Sequence, residues 1–343
     1  MARTTVYNNI TDEESLSQIL LENKELIRDF LDYLKSIDRS PNTISQYNSD
    51  LDIFFVYNLK FNNNKRFTDI TKREFARFQN HALNEWKWSP KRIRRVKSAL
   101  SSLSNYIENI LDEEEEYLNY RSVINKIPSP INQTVRDKTV FSEEELQKLL
   151  DNLVSQGKYR QACCLALAMY SGRRKAEIPR FKVSFFDDEN ILFGSLWKSP
   201  EKIQTKGRGS QGKKINVYVL KNQFEPYLNL WMEYRKENGI ESEWLFPSMD
   251  DYSKQMSIET MDSWKDNYTK FLGKDFYWHS LRHFFTTLLA KNNIPTNVIQ
   301  DIINWESADM VSLYTDISAD ENIGKYFDEN GIKKVESKSL SDI

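Results

Sequence analysis

The sequence predicts a mainly α protein with a small antiparallel β-sheet, arranged as a helical N-terminal domain followed by an α+β domain. Three observations carry this expectation. Apolar residues recur at helical spacing on both sides of residues 126–140. Between them, Ile127-Pro128-Ser129-Pro130 to Asp137 is polar, proline-bearing and aperiodic, as a linker should be. Ile215, Val217 and Val219 alternate with period two, the mark of a strand. At 343 residues the chain can fill two separate cores. The expected layout is an arm over 1–21, a helical domain over 22–125, a linker over 126–140, the α+β domain over 141–328 and a tail over 329–343.

Taken in order, residues 1 to about 20 carry weak periodicity. From Leu26 the set Leu26, Ile27, Phe30, Leu31 and Leu34 reads as a helix. Ser40-Pro41 then supplies an N-cap and a proline at the first helical position, ahead of Ile44, Tyr47, Leu51, Phe54 and Phe55. Asn62-Asn63-Asn64 is a loop, and Thr71 with Glu74 forms a candidate capping box for a helix bearing Phe75, Phe78 and Leu83. Ser89-Pro90 opens a fourth helix with Ile93, Val96, Leu100, Leu103 and Ile107 on one stripe.

Beyond the linker, Ser142 can cap while Glu145 reaches back, and Phe141 can staple to Leu146. Gln161 to Tyr170 is apolar nearly all round and should sit centrally. Ile191-Leu192-Phe193 and the run through Ile215, Val217 and Val219 read as strands flanking a turn-rich hairpin tip, Thr205 to Lys214. Phe224 to Tyr234 is amphipathic, Leu281, Phe284, Phe285, Leu288 and Leu289 mark another helix, and Ile294 to Ile303 a further one with Pro295 near its first turn. Ile323 to Phe327 is expected to form a short helix.

Composition narrows the function classes. No long uncharged apolar run suggests a membrane span, and Met1 to Glu14 lacks the apolar stretch of a signal peptide, so a cytoplasmic protein is expected. Adjacent Cys163 and Cys164 lie in an apolar run and read as core. Three histidines and two cysteines leave little for a transition-metal site. The net charge of −2 conceals a basic segment: Lys87, Lys91, Arg92, Arg94, Arg95 and Lys97 stand without an acid among them. A solvated helix face is the bland account of such a run. Six bases on a helical domain point instead to a surface for a nucleic-acid backbone.

The chemistry concentrates near the C-terminus. On a helix, His279 and Arg282 stand three residues apart and share one face, which puts a fixed cation beside an imidazole. An Arg and a His able to grip a phosphate, with Tyr314 delivered by a later segment, suggest phosphoryl transfer to a phenol oxygen. His279 and His283 also have the i, i+4 spacing of zinc ligands. Ser280 stands where a His-Glu-x-x-His helix needs its general base, and the third histidine, His81, lies in the other domain.

His279-x-x-Arg282, then Trp305, then Tyr314 nine residues on resembles the C-terminal signature of the tyrosine recombinases, the phage-integrase family. Ser171-Gly172-Arg173-Arg174-Lys175-Ala176-Glu177 is similar to the family's Thr-Gly-Leu-Arg-x-Ser-Glu, which makes Arg174 the first phosphate-gripping arginine. Arg173 replaces an apolar residue there, so either arginine can be the one that turns into the site, with register favouring Arg174. The resemblance implies that Lys206, in Thr205-Lys206-Gly207, is the general acid, with Lys213 and Lys214 as substitutes. It also implies a SAM-like core-binding domain ahead of a tyrosine-recombinase catalytic domain. Implied too is strand exchange through a 3′-phosphotyrosine with no metal, ATP or other cofactor. The partners it implies are a double-stranded recombination site, a homotetramer joining two duplexes and room for an accessory directionality factor. Two readings compete: a DNA-binding scaffold without catalysis, and a type IB topoisomerase or telomere resolvase-like strand transferase.

Overall fold

The computed structural model describes residues 10–131, 140–205, 212–305, 327–328 and 331–332. Within them the chain is mainly helical with short antiparallel strands, as the sequence predicts. Residues 10–131 form one compact unit, and residues 140–205 and 213–305 belong to another. No helix among the described residues is long and apolar enough to cross a membrane.

The first unit holds α1 (Glu13–Gln18), α2 (Leu21–Ser36), α3 (Pro41–Phe61), α4 (Lys72–Asn84) and α5 (Pro90–Ile110). Its helix starts follow local chemistry. Ser40 and Ser89 accept from the backbone N–H three residues on, each with proline in the first turn, and the Thr71/Glu74 capping box closes in both directions. The apolar stripes meet in a core that completely buries Phe30, Leu51, Phe54, Phe55, Phe75, Phe78, Ile93 and Leu100. Helix α2 begins at Leu21, ahead of the expected Leu26. Its first turn carries no apolar stripe to read. Asn23 anchors it instead, donating to the Lys65 carbonyl and accepting from the Phe67 N–H.

In the second unit, α6 (Glu143–Ser155) starts at the Ser142/Glu145 capping box. Helix α7 (Tyr159–Ser171) is buried along all ten residues from Ala162 to Ser171 and packs against α6, α8 (Lys221–Glu237) and α10 (Trp278–Lys291). Helices α9 (Ile258–Leu272) and α11 (Thr296–Ile303) complete it. Strands β1 (Ile191–Leu192) and β2 (Leu196–Lys198) pair antiparallel, while β3 (Ile203–Thr205) and β4 (Lys213–Ile215) form a separate two-stranded hairpin. Strand β5 (Tyr218–Leu220) adds to β2, and β6 (Phe327–Asp328) pairs with β7 (Gly331–Ile332).

Three expectations need correction. Ile215 to Val219 is not one strand. Ser199 interrupts it, its hydroxyl accepting from the Val217 N–H while its own N–H donates to the Val217 carbonyl. The chain thereby leaves β3 and joins β2. Phe193 is not in a strand either: it takes a φ of 54° and turns out to solvent before Gly194. Phe327 lies in β6 rather than a helix, and residues 323–326 of that expected helix lie outside the described residues.

The end of α7 is where the second unit is most constrained. Gly172 terminates the helix in the left-handed region at φ 60°, ψ 22°. A Cβ built there would stand 2.4 Å from Phe285 Cδ1 and 2.8 Å from Ile303 Cδ1. Glycine therefore serves both the turn and the approach of α10 and α11. Gly172→Ala should cost about 2–4 kcal/mol, combining left-handed strain with overpacking, read as a lowered midpoint in thermal unfolding. A stability within about 0.5 kcal/mol of wild type would show that Phe285 and Ile303 give way freely.

Candidate active site

Arg174 follows directly from that turn. Its backbone N–H donates to Glu177 Oε2 at 3.1 Å, and its guanidinium Nη1 donates to Glu177 Oε1 and to Thr205 Oγ1, each at 3.1 Å. The Thr205 hydroxyl in turn donates to Glu177 Oε1. Glu177 and Thr205 are buried, while the Arg174 side chain is about one-third exposed. The short 3₁₀ turn over Lys175–Arg180 brings Glu177 back under Arg174 and ties the pair to β3, one residue before Lys206. Burial alone would raise the Glu177 carboxyl. The charge of Arg173, the Thr205 hydroxyl and Arg174 outweigh that and hold it below its ordinary value.

Arg173 points elsewhere. It is fully buried, with Nε donating to the Ser171 carbonyl at 3.1 Å and Nη2 to the Ile302 carbonyl at 2.7 Å. Burial lowers its pKa to about 10, against the opposing pull of Glu177, so it stays charged at neutral pH. Arg282, on α10, is equally buried. It donates to the Gly172 carbonyl at 2.9 Å and to the Ile303 carbonyl at 3.2 Å, and its guanidinium lies 5.0 Å from the centre of the Trp305 ring. Trp305 is itself buried, and its backbone N–H donates to the Gln300 carbonyl.

His279 lies in the first turn of α10 and is exposed, its ring 5.4 Å from that of His283 in an edge-to-face pair. Partial desolvation, then His283, Arg282 and Arg174, all lower its pKa, to about 4. A neutral imidazole therefore stands in the field of two arginines more than 100 residues apart in sequence. The structure thus brings together Arg174, His279, Arg282 and Trp305. Lys206 and Tyr314 lie outside the described residues. Lys213 and Lys214 are exposed on β4. Sequence reasoning assigned no role to Thr205 or Glu177. The available signal was a lone glutamate three residues beyond an arginine, within the run Arg173-Arg174-Lys175-Ala176-Glu177 that resembles the family motif.

The six basic residues of the first unit differ in environment. Lys87 and Lys91 are exposed, and Arg92 lies 3.9 Å above the Trp88 ring. Arg94 donates to the Pro130 carbonyl at 3.0 Å, and Lys97 to the Ile127 carbonyl. Arg95 forks onto the completely buried Asp50 carboxylate at 2.8 and 3.0 Å. Burial raises the Asp50 pKa, and Arg95 opposes that rise.

The His279 environment is directly measurable. With an unfolded value near 6.5 and a folded one of about 4, the unfolded chain binds the extra proton between those pH values. The His279 contribution should therefore weaken stability as pH falls from about 6.5 to about 4, and be absent above 6.5. NMR titration of the ring should give a midpoint well below 6.5 that rises in Arg174→Gln. A midpoint at 6.5 in both proteins would remove the arginines from its surroundings.

The Phage integrase family matches residues 139–321, and its N-terminal SAM-like domain matches residues 26–114. The SPbeta prophage-derived recombinase-like protein YomM of Bacillus subtilis (strain 168) is 30% identical over 256 residues, which is 74% of this chain and 73% of that protein. The XerH site-specific recombinase bound to palindromic difH substrate, in a post-cleavage complex, aligns with a TM-score of 0.64 at 18% identity, covering 93% of this chain and 90% of that one. A lambda integrase tetramer bound to a Holliday junction aligns with a TM-score of 0.61 at 16% identity, covering 85% and 77%. With the first match spanning more than half of the 343 residues and a second lying on the helical unit ahead of it, the chain belongs to the phage integrase family, the tyrosine recombinases.

Proposed function

We propose that this protein cuts and rejoins DNA at a specific site through a 3′-phosphotyrosine intermediate, needing neither metal nor ATP. One observation carries the reading: Arg282 follows His279 by three residues on α10 and lies 5.0 Å from the centre of the Trp305 ring, and the charge of Arg174, from a separate segment, is also felt at His279. Two fixed cations around a neutral acid–base group suit a phosphodiester, whose transition state spreads negative charge over the phosphorus oxygens.

In the proposed step the Tyr314 oxygen attacks phosphorus and the bond to the 5′ oxygen breaks. Arg174 and Arg282 neutralise the non-bridging oxygens, while the Trp305 indole N–H adds a donor to them. His279, neutral at pH 7, takes the phenol proton or hydrogen-bonds the phosphate. Lys206 protonates the departing 5′ oxygen. The 3′-phosphotyrosine keeps the energy of the broken ester, so attack by another strand's 5′ hydroxyl reverses the chemistry without ATP. The partners are a double-stranded site and three further copies of this chain, acting in the cytoplasm.

Trapping on a nicked duplex carrying the candidate site tests the chemistry, because loss of the short nicked strand prevents religation. Wild type should give a covalent adduct that survives denaturation, and Tyr314→Phe none. Binding without an adduct in wild type would instead favour the DNA-binding scaffold without catalysis.

The basic helix has its own test in the salt dependence of DNA binding. Lys91→Ala should flatten the slope of log affinity against log salt by about 0.9, the value of one phosphate contact. Arg95→Ala should act mainly on stability, costing about 3 kcal/mol by leaving Asp50 buried without its partner. Equal slope changes in the two variants would mean that Arg95 releases Asp50 to bind DNA.

A further inference from the structure

Arg173 and Arg282 make the same kind of bridge between the same two segments. Arg173 joins the carbonyls of Ser171 and Ile302, and Arg282 joins those of Gly172 and Ile303. Each guanidinium thus spans one carbonyl at the end of α7 and one at the end of α11. The carbonyls at a helix end carry partial negative charge and lack partners within the helix, so a cation fits both ends at once. Glu177 supplies a counter-charge for Arg173, a buried cation that packing alone would not justify.

The two bridges differ in what else is asked of them. Arg282 is proposed to grip the phosphate as well, which draws toward a second partner the same guanidinium that holds the Gly172 and Ile303 carbonyls. Arg173 is buried with its side chain aimed away from Arg174 and has no such second task. Beyond the joint, the chain runs from Asn304 through Trp305 toward Tyr314.

We propose that Arg173 is a positioning residue, a second clamp that keeps the end of α11 on the end of α7 when Arg282 turns its hydrogen bonds to the phosphate. The proposal rests on the functional reading for the phosphate step alone; the double clamp stands on the free protein. A family-like apolar residue at position 173 would leave Arg282 to do both jobs. Arg173 makes the joint independent of phosphate binding.

Amide hydrogen exchange over residues 296–305 separates these cases, with the Trp305 N–H, bonded to the Gln300 carbonyl, as reporter. In the free protein Arg173→Leu and Arg282→Leu should each keep near-wild-type protection. The double variant should exchange about tenfold faster or more, as expected for losing the last charged hydrogen bonds at the joint. Adding the nicked duplex should leave wild type protected and accelerate exchange in Arg173→Leu. That variant should also cleave about tenfold more slowly in a single turnover while binding the duplex within about twofold of wild type, with partial rescue by Arg173→Lys.

Full loss of protection in free Arg173→Leu, equal to the double variant, would overturn the proposal by making Arg173 the sole clamp. Unchanged protection in the double variant would overturn it by showing that neither arginine clamps. Should Arg173→Leu fail to fold, Arg173→Gln carries the same comparison, since a short neutral amide cannot reproduce the charged fork. Failure of wild type to bind or cleave the duplex would sink the functional reading and leave the free-protein comparison intact.

Discussion

The second unit depends on how closely the side chains of α10 and α11 can approach the backbone at Gly172. Its left-handed turn ends α7, and its missing Cβ makes room for Phe285 and Ile303. Because the turn is tight, the carbonyls of Ser171 and Gly172 come within reach of two arginines, and Arg174 is delivered immediately after it. One backbone conformation therefore sets both the packing of α7 against α10 and α11 and the position of the first cation of the site.

Charge around this junction is held by hydrogen bonds, with Glu177 as the counter-charge facing Arg173 and Arg174. Arg173 and Arg282 spend their donors on helix-end carbonyls, Arg174 spends one nitrogen on Glu177 and Thr205, and Glu177 answers two arginines. Desolvated cations are tolerable only with such partners. These hydrogen bonds hold the arginines in place in the free protein, and burial first, then His283, Arg282 and Arg174, lower the His279 pKa. Preorganised charge of this kind does not have to be reassembled during a reaction.

Much of this architecture was legible because its causes are local. Ser40-Pro41, Ser89-Pro90, Thr71/Glu74 and Ser142/Glu145 announce helix starts through bonds that span three residues, and these bonds form. His279 and Arg282 stood out by helical spacing, and Arg174 and Trp305 only through the resemblance to the tyrosine recombinases, neither of which says anything of depth or partners. What stayed hidden depends on distant contacts. The break between β4 and β5 is set by Ser199, and the early start of α2 by Asn23 reaching Lys65 and Phe67. Thr205 joins Glu177 across 28 residues, and Arg173 finds Ile302 across 129. No periodicity encodes those pairings.

The basic helix shows why charge counting along a sequence misleads in both directions. Counted as a sum, −2 argues against a polyanion partner, and counted along the chain, the run from Lys87 to Lys97 offers six equal contacts. In the folded unit the bases are not equal. Arg95 is committed to a buried carboxylate, and Arg94 and Lys97 hold backbone carbonyls at 127 and 130. Lys87 and Lys91 stand in solvent, and Arg92 lies over an aromatic ring. A carbonyl does not cancel charge, so Arg94 and Lys97 still contribute to the field while their geometry is held. Asp50 does cancel charge, and Arg95 therefore orders the helix more than it electrifies it. The surface that a phosphate backbone would meet is thus set by which bases the fold leaves uncompensated, a property of α3 and α5 packed together and of neither sequence alone.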